Sequence, residues 1–479
     1  MGDTVTQGES VVEAMAAGAP VPGLVVVFSH QAPLYRLMPL VPGVNHVVGR
    51  DDLGGVAVPD ERVSRQHAEL CWSPGPDGVL TVRDLNSRNG VFVDGKRVEG
   101  QARARVGSVV RLAQTLLVVF DDLRRFSGGH IETSDGVVGP TLQQALDRAA
   151  AAGRSAAHLV GHGETGSGKE RVALAFRAAV GPRVPFVAVN CLSITPSIAA
   201  SLFFGAVKGI ATDVKQSDGY LVAANNGVLF LDEIAELDAN IQGLLLRAVE
   251  SGEVTPVGAT TPIKISVRIV AASHQDLRRA VSEGRFRQDL YYRLAQAEVQ
   301  LPPLRERKEE LPWLMQHALT GRAITLHHSI VEAALLRPWP GNVRELLAAT
   351  GAAATTALTA TPEPKEMVRL RVEHLHPEAG QVVGGAALRS PPPKAPGGAT
   401  GGSGGGGGGG PPPETAPTPP RSPGPTREQV VDALKTSGGN ISAACRLLHI
   451  PPHNRTQLYR LMKDFGLSRD ADDKHEETP

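Results

Sequence analysis

The chain has 479 residues, too many for one core, and Lys plus Arg equal Asp plus Glu at 49 each, so no global field directs it to nucleic acid or membrane. Cys71, Cys191 and Cys445 lie far apart, show no metal-ligand spacing and leave one unpaired in any disulfide scheme, which reads as reduced core thiols. No apolar run reaches the length of a bilayer span and no basic region precedes an apolar stretch near the start, so a cytoplasmic protein without membrane contact is expected.

From Val21 to about Phe120, short apolar runs (LVVVFSH, HVVGR, GVLTVRDL, GVFVDG, SVVRLAQTLLVVF) alternate with Gly, Asp, Asn and Pro turns, which predicts a β-sandwich over 21–122. Within it, GRDDLGGVAVPDERVSRQHAEL and DLNSRNGVFVDG carry Arg50, Ser64, Arg65 and Arg88, donors suited to charge-assisted hydrogen bonds with a dianionic phosphate. These segments resemble the forkhead-associated domain, a phosphothreonine-binding sandwich. The resemblance implies that Arg50 and Ser64 hold the phosphate, that Asn89 binds the peptide backbone and that His67 braces the loops. Its implied partner is a phosphothreonine protein or a Ser/Thr kinase.

Over 136–304, apolar strands such as FVAVN and ISVRIVAA alternate with amphipathic segments such as IQGLLLRAVESG, predicting an α/β core with a parallel sheet. GHGETGSGKE supplies a glycine-rich loop, Gly163, Glu164, Thr165, Gly166, Ser167 and Gly168, whose N–H groups can turn around an oxyanion, with Lys169 at the β- and γ-phosphates. GVLFLDEI reads as a buried strand that delivers Asp232 and Glu233 to its carboxyl end. Asp232 would hold Mg2+ and Glu233 would polarise the attacking water, so ATP and Mg2+ are the expected cofactors. Glu170 stands where a Ser or Thr hydroxyl often reaches the metal. A helical stretch with RPWPGNVREL completes the region over 305–378.

GETGSGKE, FVAVNC, SLFFGAVKG, GVLFLDEI, FRQDLYYRL, LPPLRER and WPGNVREL, in this order, resemble the AAA+ domain of sigma-54-dependent transcription activators, in which Glu at the position of Glu170 is usual. The resemblance implies that Asn190 restrains Glu233, and that Arg287 and Arg293 act across a ring on the neighbouring subunit's γ-phosphate. It further implies that Arg344 senses the nucleotide from a helical lid, that the assembly is a hexameric homo-oligomer ring, and that RNA polymerase with sigma-54 is the target. GIATDV, made of Gly209, Ile210, Ala211, Thr212, Asp213 and Val214, occupies the place of the family's polymerase-contacting GAFTGA loop, with Ala211 at the Phe position. Two readings therefore stay open: a regulator that activates sigma-54 RNA polymerase, and an AAA+ DNA-binding regulator that does not engage it and acts as a repressor or on another polymerase form. SHQDL also replaces the common TNRDL and puts His274 at a sensing Asn.

The tract over 379–425 is dominated by Gly and Pro and reads as a flexible tether. Over 426–468, two helices with apolar spacing of three and four resemble the Fis-type helix-turn-helix, a small all-α domain. Arg455, Thr456, Gln457, Tyr459 and Arg460 would reach phosphates and base edges of DNA upstream of a promoter. A helical dimerisation bundle with a basic face is the other reading of this segment.

Overall fold

A computed structural model of the chain describes residues 19–53, 58–75, 78–129, 131–133, 136–207, 218–360 and 367–382, with positions 427, 430–432 and 448. The candidate polymerase loop from Gly209 to Val214 and the DNA-reading residues Arg455, Thr456, Gln457, Tyr459 and Arg460 lie outside the described residues. The chain divides into two units, Met1–Arg389 and Ser390–Pro479, and the first carries everything below.

Ten strands build the front sandwich: β1 (Gly23–Ser29), β2 (Ala32–Pro39), β3 (Asn45–Val48), β4 (Ala68–Ser73), β5 (Val79–Asp84), β6 (Val91–Val93), β7 (Lys96–Arg97), β8 (Gln101–Arg105), β9 (Val109–Leu112) and β10 (Thr115–Phe120). One sheet runs β2-β1-β10-β9-β6-β7 and the other β3-β4-β5-β8. Leu24, Val26, Leu117 and Val119 meet Leu70, Trp72, Leu80 and Val82 between them, and the other residues of each strand point away, as the two-residue period requires. The run SVVRLAQTLLVVF, which reads as one strand, is two: Ala113 takes a φ of 54° and the chain reverses, so that Thr115 pairs with Leu112.

All seven residues of β1 are buried. The second face of its sheet, through Val25, Val27, Phe28, Val109, Leu116 and Val118, shares one apolar cluster with Leu314, Met315, Ile330, Val331 and Leu335 of the helical region that follows the α/β core. Full burial of each such side chain stabilises by about 1.5–3 kcal/mol, so this junction is a core rather than a loose contact.

A hairpin of β11 (Ile131–Thr133) and β12 (Gly136–Val138) leads into the second layer. There β13 (His158–His162), β14 (Phe186–Asn190), β15 (Val228–Asp232), β18 (Arg268–Ser273) and β19 (Glu298–Gln300) form a wholly parallel sheet in the order β14-β15-β18-β13-β19, with β16 (Glu253–Val254) and β17 (Ile263–Lys264) as a side hairpin. Leu229 and Leu231 enter the apolar cluster on one face and Val228 and Phe230 the cluster on the other, the two-sided burial that made GVLFLDEI legible as a parallel strand. Helix Ala239–Ser251 starts where Asp238 accepts from the N–H groups of Asn240 and Ile241, and stops at Gly252 in the left-handed region. The chain leaves β13 for the far edge strand β14, so the carboxyl end of β13 sits at a topological switch point, where ligand crevices form. Helices Leu311–Ala318, His328–Leu335 and Asn342–Ala360 and a parallel pair, β20 (Ile324–Leu326) and β21 (Val368–Leu370), make the lid. Among the described residues, no helix is long and apolar enough to cross a membrane.

Candidate nucleotide site and phosphopeptide loops

The glycine-rich loop leaves β13 and runs into helix Lys169–Val180. At Gly166, φ is 75° and an added Cβ would lie 2.3 Å from the Gly341 carbonyl oxygen, so only glycine lets the loop pass beneath the lid helix. Lys169 is buried, and its Nζ donates to the Gly163 carbonyl at 3.2 Å and to Glu233 Oε1 at 3.1 Å. Glu233 follows β15 in the left-handed region, with φ 55°. Its Oε2 accepts from the His274 backbone N–H at 3.1 Å and from His274 Nδ1 at 2.6 Å. Burial pushes the Glu233 pKa up, but the donors from His274 and Lys169 together hold it below the ordinary value. Asp232, by contrast, is raised, chiefly by burial. Its Oδ1 and the Ser167 hydroxyl are buried with no hydrogen-bond partner.

These groups line a cavity of about 470 Å³ between the sheet edge and the lid. Its lining includes the polar residues Thr165, Ser167, Lys169, Glu170, Asn190, Asp232, Glu233 and His274 with Gly166 and Gly168, the apolar residues Val137, Leu142, Phe230, Leu314, Val343 and Leu347, and Arg344 from the lid. Gly163 and Glu164 lie outside that lining. Glu164 is turned to the lid, where Arg305 binds it through two nitrogens at 2.8 and 2.7 Å and Asn342 at 3.1 Å. The Arg305 bonds hold its carboxyl below the usual range. Asn190 Oδ1 accepts from the Leu192 N–H at 3.0 Å, so this oxygen caps the next turn, while Glu233 takes its bonds from Lys169 and His274. Arg287 and Arg293 are outside the cavity lining: Arg287 pairs with Asp289 at 2.7 Å on the surface, and Arg293 Nη2 lies 3.5 Å from the Val249 carbonyl.

Sequence reasoning missed Arg307. It is almost wholly buried, donates to the Ser167 carbonyl of the loop at 2.6 Å, and pairs with Glu310 at 3.0 Å. Glu310 in turn accepts from the Gly139 N–H at 2.8 Å. The next residue, Lys308, donates to the Gly107 carbonyl of the sandwich at 2.7 Å. A run such as RERKEE ordinarily reads as a solvated face, and only the tertiary fold turns Arg307, Glu309 and Glu310 inward.

In the sandwich, the loops after β3 and after β5 bring Arg50, Ser64, Arg65, Arg88 and Asn89 to one end. An added Cβ at Gly49 would lie 1.8 Å from the Arg65 carbonyl oxygen, which keeps the two backbones in contact. Arg50 Nε and Nη2 donate to the carbonyls of Val63 and Glu61 at 3.0 and 2.5 Å. Ser64 Oγ accepts from the Arg88 N–H at 3.2 Å, and Asn89 donates to the Arg62 carbonyl at 2.6 Å. His67 is fully buried, and burial lowers its pKa. Its Nδ1 accepts from the Ser64 N–H at 2.9 Å, which leaves Nε2 to donate to the Gly90 carbonyl at 3.2 Å. His67 thus ties the two loops together, the bracing role expected of it.

A glycine-rich loop at the switch point after β13, an acid pair at the end of β15 with β18 between the two strands, and a helical lid over the cavity define an AAA+ type α/β domain, and a two-sheet sandwich stands ahead of it. The family model for the Sigma-54 interaction domain matches residues 137–300, and that for the FHA domain residues 46–113. The chain is 34% identical over 367 residues to the acetoin catabolism regulatory protein of Cupriavidus necator, covering 74% of this chain and 49% of that protein. It is 41% identical over 216 residues to the DNA-binding transcriptional regulator NtrC of Escherichia coli, covering 43% and 46%. The structure of NtrX from Brucella abortus in complex with ADP aligns at 24% identity and a TM-score of 0.47, covering 72% of this chain and 71% of that one. The chain therefore carries a Sigma-54 interaction domain with an FHA domain ahead of it. It spans about half the length of the curated relatives it matches.

Proposed function

We propose that this chain is an ATP-hydrolysing transcription regulator that acts on sigma-54 RNA polymerase in the cytoplasm and is tuned by a phosphothreonine partner. The observation that carries the reading is the buried Lys169–Glu233 pair, next to Asp232 in a cavity whose lining joins polar and apolar side chains. Such a cavity suits a nucleotide: apolar side chains of the lining take the base, and the loop N–H groups and Lys169 take the phosphates. The orphan oxygens of Asp232 and Ser167 fit a hard divalent cation such as Mg2+, which when bound neutralises phosphate charge. Lys169 then leaves Glu233 for the β- and γ-phosphates, and Glu233, ionised by its remaining donors, orients the attacking water. Arg344 contacts the nucleotide from the lid. Arg287 and Arg293, exposed and outside their own chain's cavity, serve the adjacent subunit of a hexameric ring, so turnover depends on assembly.

The relatives' names, among them a DNA-binding transcriptional regulator, support carrying DNA binding to the tail segment and its residues Arg455, Thr456, Gln457, Tyr459 and Arg460. Purified protein should hydrolyse ATP with a rate per subunit that rises with concentration, and Glu233→Gln should bind ATP but scarcely turn it over. Specific activity that is flat across a wide concentration range would remove the trans-acting arginines. Transcription in vitro with sigma-54 or with the main sigma factor separates the polymerase target from the alternative of a regulator that does not engage sigma-54.

A further inference from the structure

We infer that His274 is the positioning residue of Glu233, a role that rests on the proposed hydrolysis and that the family resemblance would have given to Asn190. Glu233 has three donors here: Lys169 Nζ at 3.1 Å, the His274 backbone N–H at 3.1 Å and His274 Nδ1 at 2.6 Å. Phosphates draw Lys169 away, because its charge is the one aimed at them. Both donors that remain belong to His274, and both bind Oε2. The carboxylate is therefore pinned through one oxygen, and Oε1, vacated by Lys169, turns to the water. A carboxylate acceptor requires Nδ1 to carry its proton, and the neutral tautomer and the imidazolium both satisfy this.

Asn190 is differently employed, its Oδ1 accepting from the Leu192 N–H at 3.0 Å. His274 directly follows β18, whose Ala272 pairs with Asp232, and it lines the same cavity. The backbone donor survives any substitution at this position, so a variant tests the ring alone. Asparagine places an amide N–H close to where Nδ1 lies; alanine places nothing there.

The experiment is steady-state ATP hydrolysis by the full chain as wild type, Glu233→Gln, His274→Ala and His274→Asn, with ADP affinity measured on each. His274→Ala should lower kcat by about tenfold, the low end of what losing a partner behind a working ligand costs, with KM for ATP and ADP affinity changed less than about twofold. His274→Asn should recover most of the loss. An alanine variant within twofold of wild type overturns the inference. So does equal impairment of both variants with raised KM and weakened ADP binding, the mark of a structural role. Wild type no faster than Glu233→Gln instead sinks the hydrolysis reading and takes this inference with it.

Discussion

Arg111 of the sandwich and Glu332 of the lid form an ion pair of 2.9 Å whose side chains retain only 14% and 12% of their exposure. Arg111 also stacks over the Phe92 ring at 3.6 Å and donates to the Ala113 carbonyl at 3.0 Å. With the apolar cluster around Phe28 and Leu335, the pair joins the sandwich and the lid into one body. Arg111→Ala should destabilise the full chain by about 2 kcal/mol, less than a fully buried pair because some solvent reaches it, since Glu332 is left without its cation. The sandwich and lid should still melt in one transition, shifted down. Calorimetry that shows the sandwich melting separately from the lid, or no shift in the variant, would contradict a shared core.

A phosphothreonine peptide should bind the full chain far more tightly than its unmodified form. The full chain is the right sample, because an isolated sandwich would expose Val25, Val27, Phe28 and Val118. Arg50 is held ready by the Val63 and Glu61 carbonyls, so little ordering is needed when the phosphate arrives. Arg50→Ala should weaken binding by about 1.5–3 kcal/mol, on the order of 10–100-fold. Equal affinity for both peptide forms by fluorescence anisotropy would end the phosphopeptide reading.

The third expectation concerns acid stability. His158 is buried in β13, accepts the Ile269 N–H at 3.2 Å through Nδ1, and has its pKa lowered to about 4 by burial first and then by Arg293 and Arg268. The folded chain keeps it neutral while the unfolded chain takes up a proton near pH 6.5, so its contribution is intact above that pH and is lost as pH falls toward 4. The full loss is about 3 kcal/mol. His158→Asn keeps an acceptor for Ile269 and cannot titrate. Urea unfolding at pH 7, 6 and 5 should therefore show a shallower pH slope in the variant, and identical slopes would remove His158 as a source of acid sensitivity.

The sequence made the phosphate loop and the LDEI strand legible because each has a short-range signal: glycines at fixed spacing, and an apolar run ending in two acids. The burial of both faces of β1 was also written in LVVVFS, which does not alternate with polar residues, but nothing local says what covers the second face. The His274–Glu233 bond spans 41 positions, and Arg307 reaches Ser167 across 140. Such pairings depend on strand order and lid placement, which no local periodicity encodes. The turn at Ala113 was hidden for a different reason, since alanine in the left-handed region carries none of the Gly or Asn chemistry that marks a reversal.

The final prediction concerns GIATDV, which lies outside the described residues and stands where the family presents its polymerase-contacting loop. An aromatic anchor at the centre of an interface is commonly worth about 2 kcal/mol or more, and Ala211 offers none. Asp213 and Val214 also put a charge and a β-branched side chain where the family has a small Gly-Ala pair. The wild-type chain should hydrolyse ATP yet retain sigma-54 only weakly in the presence of a transition-state mimic of ATP. Ala211→Phe, Asp213→Gly and Val214→Ala together should raise retention by at least about tenfold, because anchor and hinge act as one unit and single changes need not add. If wild type retains sigma-54 as strongly as the triple variant, GIATDV is a full-strength contact loop. If neither retains it while both hydrolyse ATP, the motor drives something other than sigma-54 polymerase, since the defect then lies beyond the loop's anchor.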